Sequence, residues 1–150
     1  MRATPNMPDH TGTLLAFDFG EKRIGVAIGE STLKMAHPLT TIHATRNDTR
    51  LRAIDQLITE WQPVQLVVGL PRHLDGTEHN MSARCRGFAR QLEGRFRLPT
   101  TLVDERLTSA EAHSLLRGFG RGGKKDKALI DQLAAQRILQ SYFDHATTRS

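Results

Sequence analysis

The sequence predicts an α/β protein whose mixed sheet opens with an antiparallel hairpin and carries helices on its faces. Two apolar runs, Thr13 to Phe19 and Arg23 to Ile28, are separated by a short link that contains Gly20. Two such runs with a short glycine-containing link are typical of a hairpin. After them, short apolar runs alternate with segments of helical periodicity. Strands separated by helices favour parallel pairing, so hairpin and later strands together give a mixed sheet.

The first half of the chain supplies a third strand, a helix and a buried strand. A weaker strand is expected over Pro38 to Ile42. Apolar residues then recur at helical spacing from Leu51 to Trp61, and Pro63 ends that helix. The run Gln65 to Gly69 predicts a short buried strand. A loop is expected over Leu70 to Thr77, because this segment contains proline and an Asp-Gly pair.

The second half continues the alternation of strands and helices. Its predicted elements are a helix from Met81 to Phe96, a strand from Thr101 to Asp104, a short helix from Thr108 to about Arg117 and a last helix from about Asp126 to Phe143. Thr108 and Glu111 match a capping box at the beginning of the short helix. A glycine-rich basic loop is expected over Gly118 to Lys125. It follows a helix rather than a strand, which argues against a phosphate-binding nucleotide loop.

Length and composition favour one domain in a reducing compartment. The 150 residues suit a single core, expected over residues 13–143, with tails at 1–12 and 144–150. A single cysteine, Cys85, excludes an internal disulfide framework and any multi-cysteine metal site. The longest apolar runs fall far below the roughly 18 residues of a membrane span, and the first residues lack the apolar core of a secretory signal. The sequence therefore predicts a cytoplasmic protein without a membrane partner.

The charge balance favours an anionic partner. The chain has 21 lysine and arginine residues against 16 aspartate and glutamate residues, a net charge of +5, and an isoelectric point near 10.0. Nucleic acid is the commonest partner of so basic a domain, although a basic surface without such a role has the same composition.

Acidic residues at three places in the chain are the candidates for catalytic or ligand-binding groups. Asp18 lies inside an otherwise apolar strand, where an unpaired charge is costly to bury, unless it simply ends the strand and bonds the turn amides. Asp104 and Glu105 lie where a strand ends, a place where ligands bind in open α/β sheets, although an ordinary polar strand end looks the same. Asp131 lies early in the last helix, where the helix dipole alone would favour an acid.

Together these acids suggest metal-assisted phosphoryl chemistry. Carboxylate oxygens suit Mg²⁺ or Mn²⁺, and two such ions can activate a water and stabilise a leaving oxygen. The spacing along the chain does not establish that the three carboxylates meet.

Four ordered blocks of sequence resemble the YqgF/RuvX family over residues from Thr13 to Phe143. They are Leu14 to Ala27 with its Asp18-Phe19-Gly20, Val68 to Pro71 with Asp75 to Thr77, Asp104 to Ala112, and Lys127 to Phe143. Gln132 departs from the pattern, since related sequences often have a small hydroxyl residue there.

The resemblance implies an RNase H-like fold and a metal-dependent nuclease. Carried over to this sequence, it makes Asp18, Glu105 and Asp131 the catalytic acids that hold Mg²⁺ or Mn²⁺, two ions in all. Lys127 becomes a contact to phosphate or the leaving group. It also implies a role in maturing the precursor of small-subunit ribosomal RNA, or resolution of Holliday junctions.

Further basic residues suit contacts to a nucleic-acid backbone, each also explicable as a solvated surface charge. They are Lys22, Arg23, Arg72, Arg121, Lys124 and Lys125. Aromatic residues are only 5% of the chain, which argues against base stacking as the main contact.

The sequence therefore favours RNA over DNA as the substrate, and pre-ribosomal particles are the expected partners. The expected oligomeric state is a monomer or weak homodimer. A four-way DNA junction remains an alternative substrate, and a ribosome assembly factor that binds without cutting remains an alternative function. A sugar-kinase-like ATP-dependent protein is disfavoured by the length, because two lobes need a longer chain.

Overall fold

The fold is a five-stranded mixed sheet with helices on both faces. A computed structural model of the chain describes residues 11–72, 75, 77, 80–105 and 124–149. The strands are β1 (Thr13–Phe19), β2 (Arg23–Glu30), β3 (Met35–His43), β4 (Gln65–Pro71) and β5 (Thr100–Glu105), and the helices are α1 (Asn47–Trp61), α2 (Ser82–Phe96) and α3 (Lys124–Arg149). Across the sheet the order is β3-β2-β1-β4-β5. The predicted α/β class is confirmed.

The opening hairpin and the weaker third strand are also confirmed. β1 pairs antiparallel with β2, so that Asp18 lies opposite Gly25. β2 pairs antiparallel with β3, which is longer than predicted. β4 pairs in parallel with both β1 and β5. The carboxyl ends of these three parallel strands therefore lie at one edge of the sheet.

Side-chain alternation divides the core into two layers, because successive residues of a strand point to opposite faces. Leu15 and Phe17 of β1 pack with apolar residues of α1 and α2. Leu14 and Ala16 of β1 pack with Ala135, Ile138 and other apolar residues of α3. The α3 helix therefore covers one face of the sheet alone, within the residues that the structure describes.

The last helix is longer than predicted at both ends. It begins at Lys124 rather than Asp126 and continues to Arg149 rather than ending at Phe143. Lys124 and Lys125 therefore belong to the helix and not to the basic loop to which the sequence assigned them. The glycines and lysines of this segment had indicated a loop. The last of these glycines is Gly123, however, and the lysines that follow it are good helix formers.

The predicted loop after β4 begins later than expected. β4 continues through Leu70 to Pro71, where the pairing with β5 ends. A proline is tolerated at the end of a strand, where no ladder hydrogen bond from its nitrogen is needed. The short helix predicted from Thr108 to Arg117 lies outside the described residues. None of the helices that the structure describes is long and apolar enough to cross a membrane.

Candidate active site

Asp18 faces α3 from the second-last position of β1. It shares this face with Leu14 and Ala16, because the three residues are two apart along the strand. The carboxylate is therefore placed at the sheet edge where parallel strands end, and the residue is half-buried. That location fits a group used in chemistry better than a simple strand-ending contact to turn amides.

Glu105 lies at the same sheet edge as the last residue of β5. It is two residues from Val103, which packs against the α3 side of the core. Alternation therefore turns Glu105 toward α3 and Asp104 toward the opposite face. Asp104 forms an ion pair with Arg72, whose Nε is 3.2 Å from the Asp104 Oδ1.

Asp131 reaches the site because glycine allows α3 to approach the sheet closely. A Cβ atom placed on Gly25 would lie 2.0 Å from the backbone oxygen of Asp131 and 2.9 Å from its Cβ. No side chain fits in that space. Since Gly25 is the cross-strand neighbour of Asp18, the approach brings Asp131 beside Asp18.

The charges of Asp131 and Glu105 act on Asp18. The pKa of Asp18 is raised from its ordinary 3.8 to about 7, first by burial and then by the negative charges of Asp131 and Glu105. Groups from β1, β5 and α3 therefore share one site. Asp131 lies about two turns into α3, which begins at Lys124, so the helix dipole, whose effect fades within the first turn, does not by itself account for an acid there.

Arg23 is the cation that binds Asp131. Its Nε donates a hydrogen bond of 2.5 Å to Oδ2 of Asp131. The side chains of Arg23 and Asp131 are 32% and 15% exposed, so the pair is largely shielded from water. A partly buried ion pair of this kind is stronger than one on the surface. The Asp131 carboxylate is thus already engaged in the structure.

The donor set suits a hard divalent cation, but the side chains are not closed around one. Within the described residues, no three His, Cys, Asp or Glu side chains are grouped closely enough to hold an ion. Burial is the main reason why the pKa of Asp18 is raised, and the negative charges of Asp131 and Glu105, which a divalent cation would offset, raise it further. An ion that took up Oδ2 of Asp131 would have to displace the Nε of Arg23 from it.

The predicted basic residues occupy different positions around the acids. Lys22 is exposed in the turn beside Arg23, and Lys127 is exposed one helical turn before Asp131. Arg72 lies at the end of β4, where its backbone nitrogen donates to the oxygen of Glu105 at 3.0 Å. Lys124 and Lys125 begin α3, and Arg121 lies outside the described residues.

A polar cleft beside Glu105 was not foreseen. It has a volume of about 390 Å³ and lies between the end of β5 and α3. Its lining includes Arg137, Gln140 and Ser141 of α3 together with Glu105. Polar residues one turn apart, such as Arg137 and Ser141, indicated only that this part of the helix meets solvent.

Two arginines near the turn were also missed. Arg50 is buried under the turn between β1 and β2, and Arg84 of α2 forms an ion pair of 2.8 Å with Glu21 in that turn. Arginine in an amphipathic helix usually indicates an exposed face, so no sequence signal distinguished Arg50 from its neighbours. Cys85, in contrast, is buried in the core as predicted, and burial with the charge of Asp18 raises its pKa to about 11.

The fold resembles those of two solved resolvases. The structure of RuvC from Thermus thermophilus superimposes with a TM-score of 0.53 over 91% of this chain and 96% of that chain, at 13% identity. The Fowlpox virus resolvase, solved in a complex with Holliday junction DNA, gives a TM-score of 0.54 over 89% of this chain and 98% of that chain, at 10% identity. At such identities the likeness concerns the fold.

The chain belongs to the RuvX family. The model of that family, described as Holliday junction resolvase, matches residues 12–145. A relative from Methylobacillus flagellatus is 63% identical over 89% of this chain and 91% of its own length. One from Nitrosomonas europaea is 58% identical over 92% of this chain and 96% of its own length. Both carry the name "Putative pre-16S rRNA nuclease". The predicted family is confirmed.

Proposed function

We propose that this protein is a nuclease that hydrolyses phosphodiester bonds in structured nucleic acid with the help of Mg²⁺ or Mn²⁺. The supporting observation is the convergence of Asp18, Glu105 and Asp131, from three distant segments, at one sheet edge with the pKa of Asp18 raised to about 7. Like charges are brought together at a cost to folding, and functional sites are where such costs are found.

The three carboxylates are the proposed ligands of the cations. A pair of divalent ions bound there would activate a water and stabilise the leaving oxygen of the cleaved bond. Because Asp18 retains a proton up to about pH 7 in the absence of metal, cation binding competes with protonation and strengthens as the pH rises.

The basic residues bind and orient the substrate. Arg23 is bound to Asp131 in the structure, and its guanidinium would be free to contact a phosphate of the bound strand if that carboxylate held a cation. Lys22 in the turn and Lys127 on α3 are exposed, and each would contact a phosphate or the leaving group. Arg72, Lys124, Lys125 and Arg121 extend the same electrostatic attraction, which makes binding dependent on salt.

The favoured substrate is the precursor of 16S ribosomal RNA. The relatives from Methylobacillus flagellatus and Nitrosomonas europaea, which align along nearly their whole length, are named for this activity. The scarcity of aromatic residues suits recognition of the backbone and shape of RNA. The protein would act in the cytoplasm on pre-ribosomal particles, as a monomer or weak homodimer.

A four-way DNA junction is the second candidate substrate. The family model's description and the likeness to RuvC favour it. A junction resolvase must cut two strands symmetrically and should therefore work as a dimer. A third possibility is binding of RNA without cleavage, but that function does not account for three acidic side chains near one another.

Cleavage assays separate these functions. Purified protein is incubated with a precursor 16S ribosomal RNA fragment or with a synthetic DNA junction, each with Mg²⁺, Mn²⁺ or EDTA. We expect RNA cleavage that needs the cation and falls about 100-fold in D18N, which corresponds to about 2.7 kcal/mol in the barrier. RNA binding by D18N should persist, and D55N, which removes an exposed carboxylate of α1, should cleave normally.

The other outcomes are equally informative. Cleavage of the junction alone, by a dimer, would favour the resolvase. RNA binding without cleavage under any cation would contradict the nuclease and support the assembly factor.

A further inference from the structure

A buried arginine lies beneath the turn that connects β1 with β2. Arg50, in the first turn of α1, is only 3% exposed. Its Nη2 donates hydrogen bonds of 2.6 Å to the backbone oxygens of Gly20 and Glu21, and its Nε donates one of 2.6 Å to the oxygen of Ala44. The guanidinium carbon lies 5.2 Å from the centre of the Phe19 ring. Every one of these partners except Ala44 belongs to β1 or to the turn.

This cation occupies a place that is unfavourable for a positive charge. The N-terminal end of a helix carries partial positive charge, which repels a cation. Burial and the nearby guanidinium of Arg84 both lower the pKa of Arg50. In the part of the chain that the structure describes, no carboxylate forms an ion pair with it. Among the described residues, carbonyl oxygens and the face of Phe19 compensate its charge.

The turn held by Arg50 leads directly to the active site. It follows Asp18 and Phe19 and ends at Arg23, whose Nε binds the Asp131 carboxylate. The turn is tight, because a Cβ atom on Gly20 would lie 2.7 Å from the backbone oxygen of Arg23. The planar guanidinium of Arg50, which donates in two directions, fixes the carbonyls of this turn more rigidly than a neutral donor could.

We propose that Arg50 is a positioning residue for the active site. By binding the backbone of the turn, it fixes the main chain from which the Arg23 side chain projects. This main chain directs Arg23 to Asp131 in the structure, and it keeps the guanidinium beside the site, where a bound strand would meet it once a cation occupied Asp131. The part of this inference that concerns catalysis rests on the proposed nuclease function. The part that concerns the orientation of Arg23 does not.

The test compares R50M with R52M, which removes an exposed arginine from the same helix. The first measurement is the NMR signal of the Arg23 Nε–H, assigned by its loss in an R23M variant. In the wild type and R52M this proton should exchange slowly, whereas in R50M it should exchange at least tenfold faster. R50K serves if R50M does not fold, since it keeps the charge but lacks the planar fork.

The second measurement is kinetic and uses precursor 16S ribosomal RNA at a temperature where circular dichroism shows each variant folded. R50M, or R50K, should lower kcat about tenfold with little change in KM, and R52M should match the wild type. Exchange and kcat equal to those of R52M would overturn the proposal. If the wild type does not cleave RNA, the nuclease function fails, and the exchange of the Arg23 proton alone decides the positioning role.

Discussion

Neutralising Asp18 should stabilise the folded protein at alkaline pH while removing the central residue of the proposed site. In the unfolded chain this carboxyl ionises near 3.8, whereas in the folded protein it ionises near 7. Between these pH values the folded state keeps a proton that the unfolded state has released. The free energy of unfolding therefore falls as the pH rises from about 4 to about 7.

The size of this effect follows from the pKa difference. The shift of the pKa from 3.8 to about 7 corresponds to about 4 kcal/mol, fully expressed above pH 7. Asparagine has nearly the same shape but does not ionise. We therefore expect D18N to be more stable than the wild type by up to this amount at pH 8, and similar to it near pH 4.

Urea unfolding followed by far-ultraviolet circular dichroism at pH 4, 6 and 8 in EDTA measures the difference. D55N, on the helix that packs against the other face of the sheet, should show no comparable gain at pH 8. A difference between D18N and the wild type that does not change with pH would refute the electrostatic reasoning. So would a D18N protein that is less stable at pH 8.

Three further outcomes are expected. G25A places a methyl group 2.0 Å from the backbone oxygen of Asp131, so urea unfolding should show a loss of about 2 kcal/mol, and wild-type stability would contradict the close approach. R23M frees the Asp131 carboxylate, so calorimetry without nucleic acid should show tighter Mn²⁺ binding. Unchanged or weaker binding would argue against a competition between Arg23 and the cation for Asp131. Q132A removes a 3.1 Å hydrogen bond from the Gln132 amide to the Thr41 hydroxyl, so the free energy of unfolding in urea should fall by about 1 kcal/mol. An unchanged free energy of unfolding would show that this bond does not stabilise the fold.

Most of the fold is predictable from local patterns in the sequence. The hairpin follows from two apolar runs around Gly20, and the helices from their apolar periodicity. Boundaries were less predictable. The beginning of α3 at Lys124 carries no distinct capping signal after Gly123, and the end of β4 at Pro71 depends on its pairing with β5.

The sequence offered candidate residues for the site, which stay predictions, but it did not offer their geometry. Alternation places Asp18 on the face of Leu14 and Ala16, yet only the position of α3 shows which face the site occupies. The close approach at Gly25 depends on a backbone contact between residues 106 positions apart in sequence. Family resemblance supplied the convergence of the acids that spacing could not.

Arg50 illustrates a different limit. In the sequence it is one more polar residue beside Leu51 in an amphipathic helix. Its role depends on the backbone oxygens of Gly20 and Glu21, which any residues could supply in that position. Because every residue has a backbone oxygen, the sequence of the turn does not indicate that Arg50 binds it.

Diffraction from crystals soaked in Mn²⁺, recorded near the manganese absorption edge, tests most directly whether the acids form a metal centre. Anomalous density is predicted between the carboxylates of Asp18, Glu105 and Asp131, with the Arg23 side chain turned away from Asp131. Density elsewhere, or none at this sheet edge at a Mn²⁺ concentration that supports cleavage, would contradict the proposed mechanism.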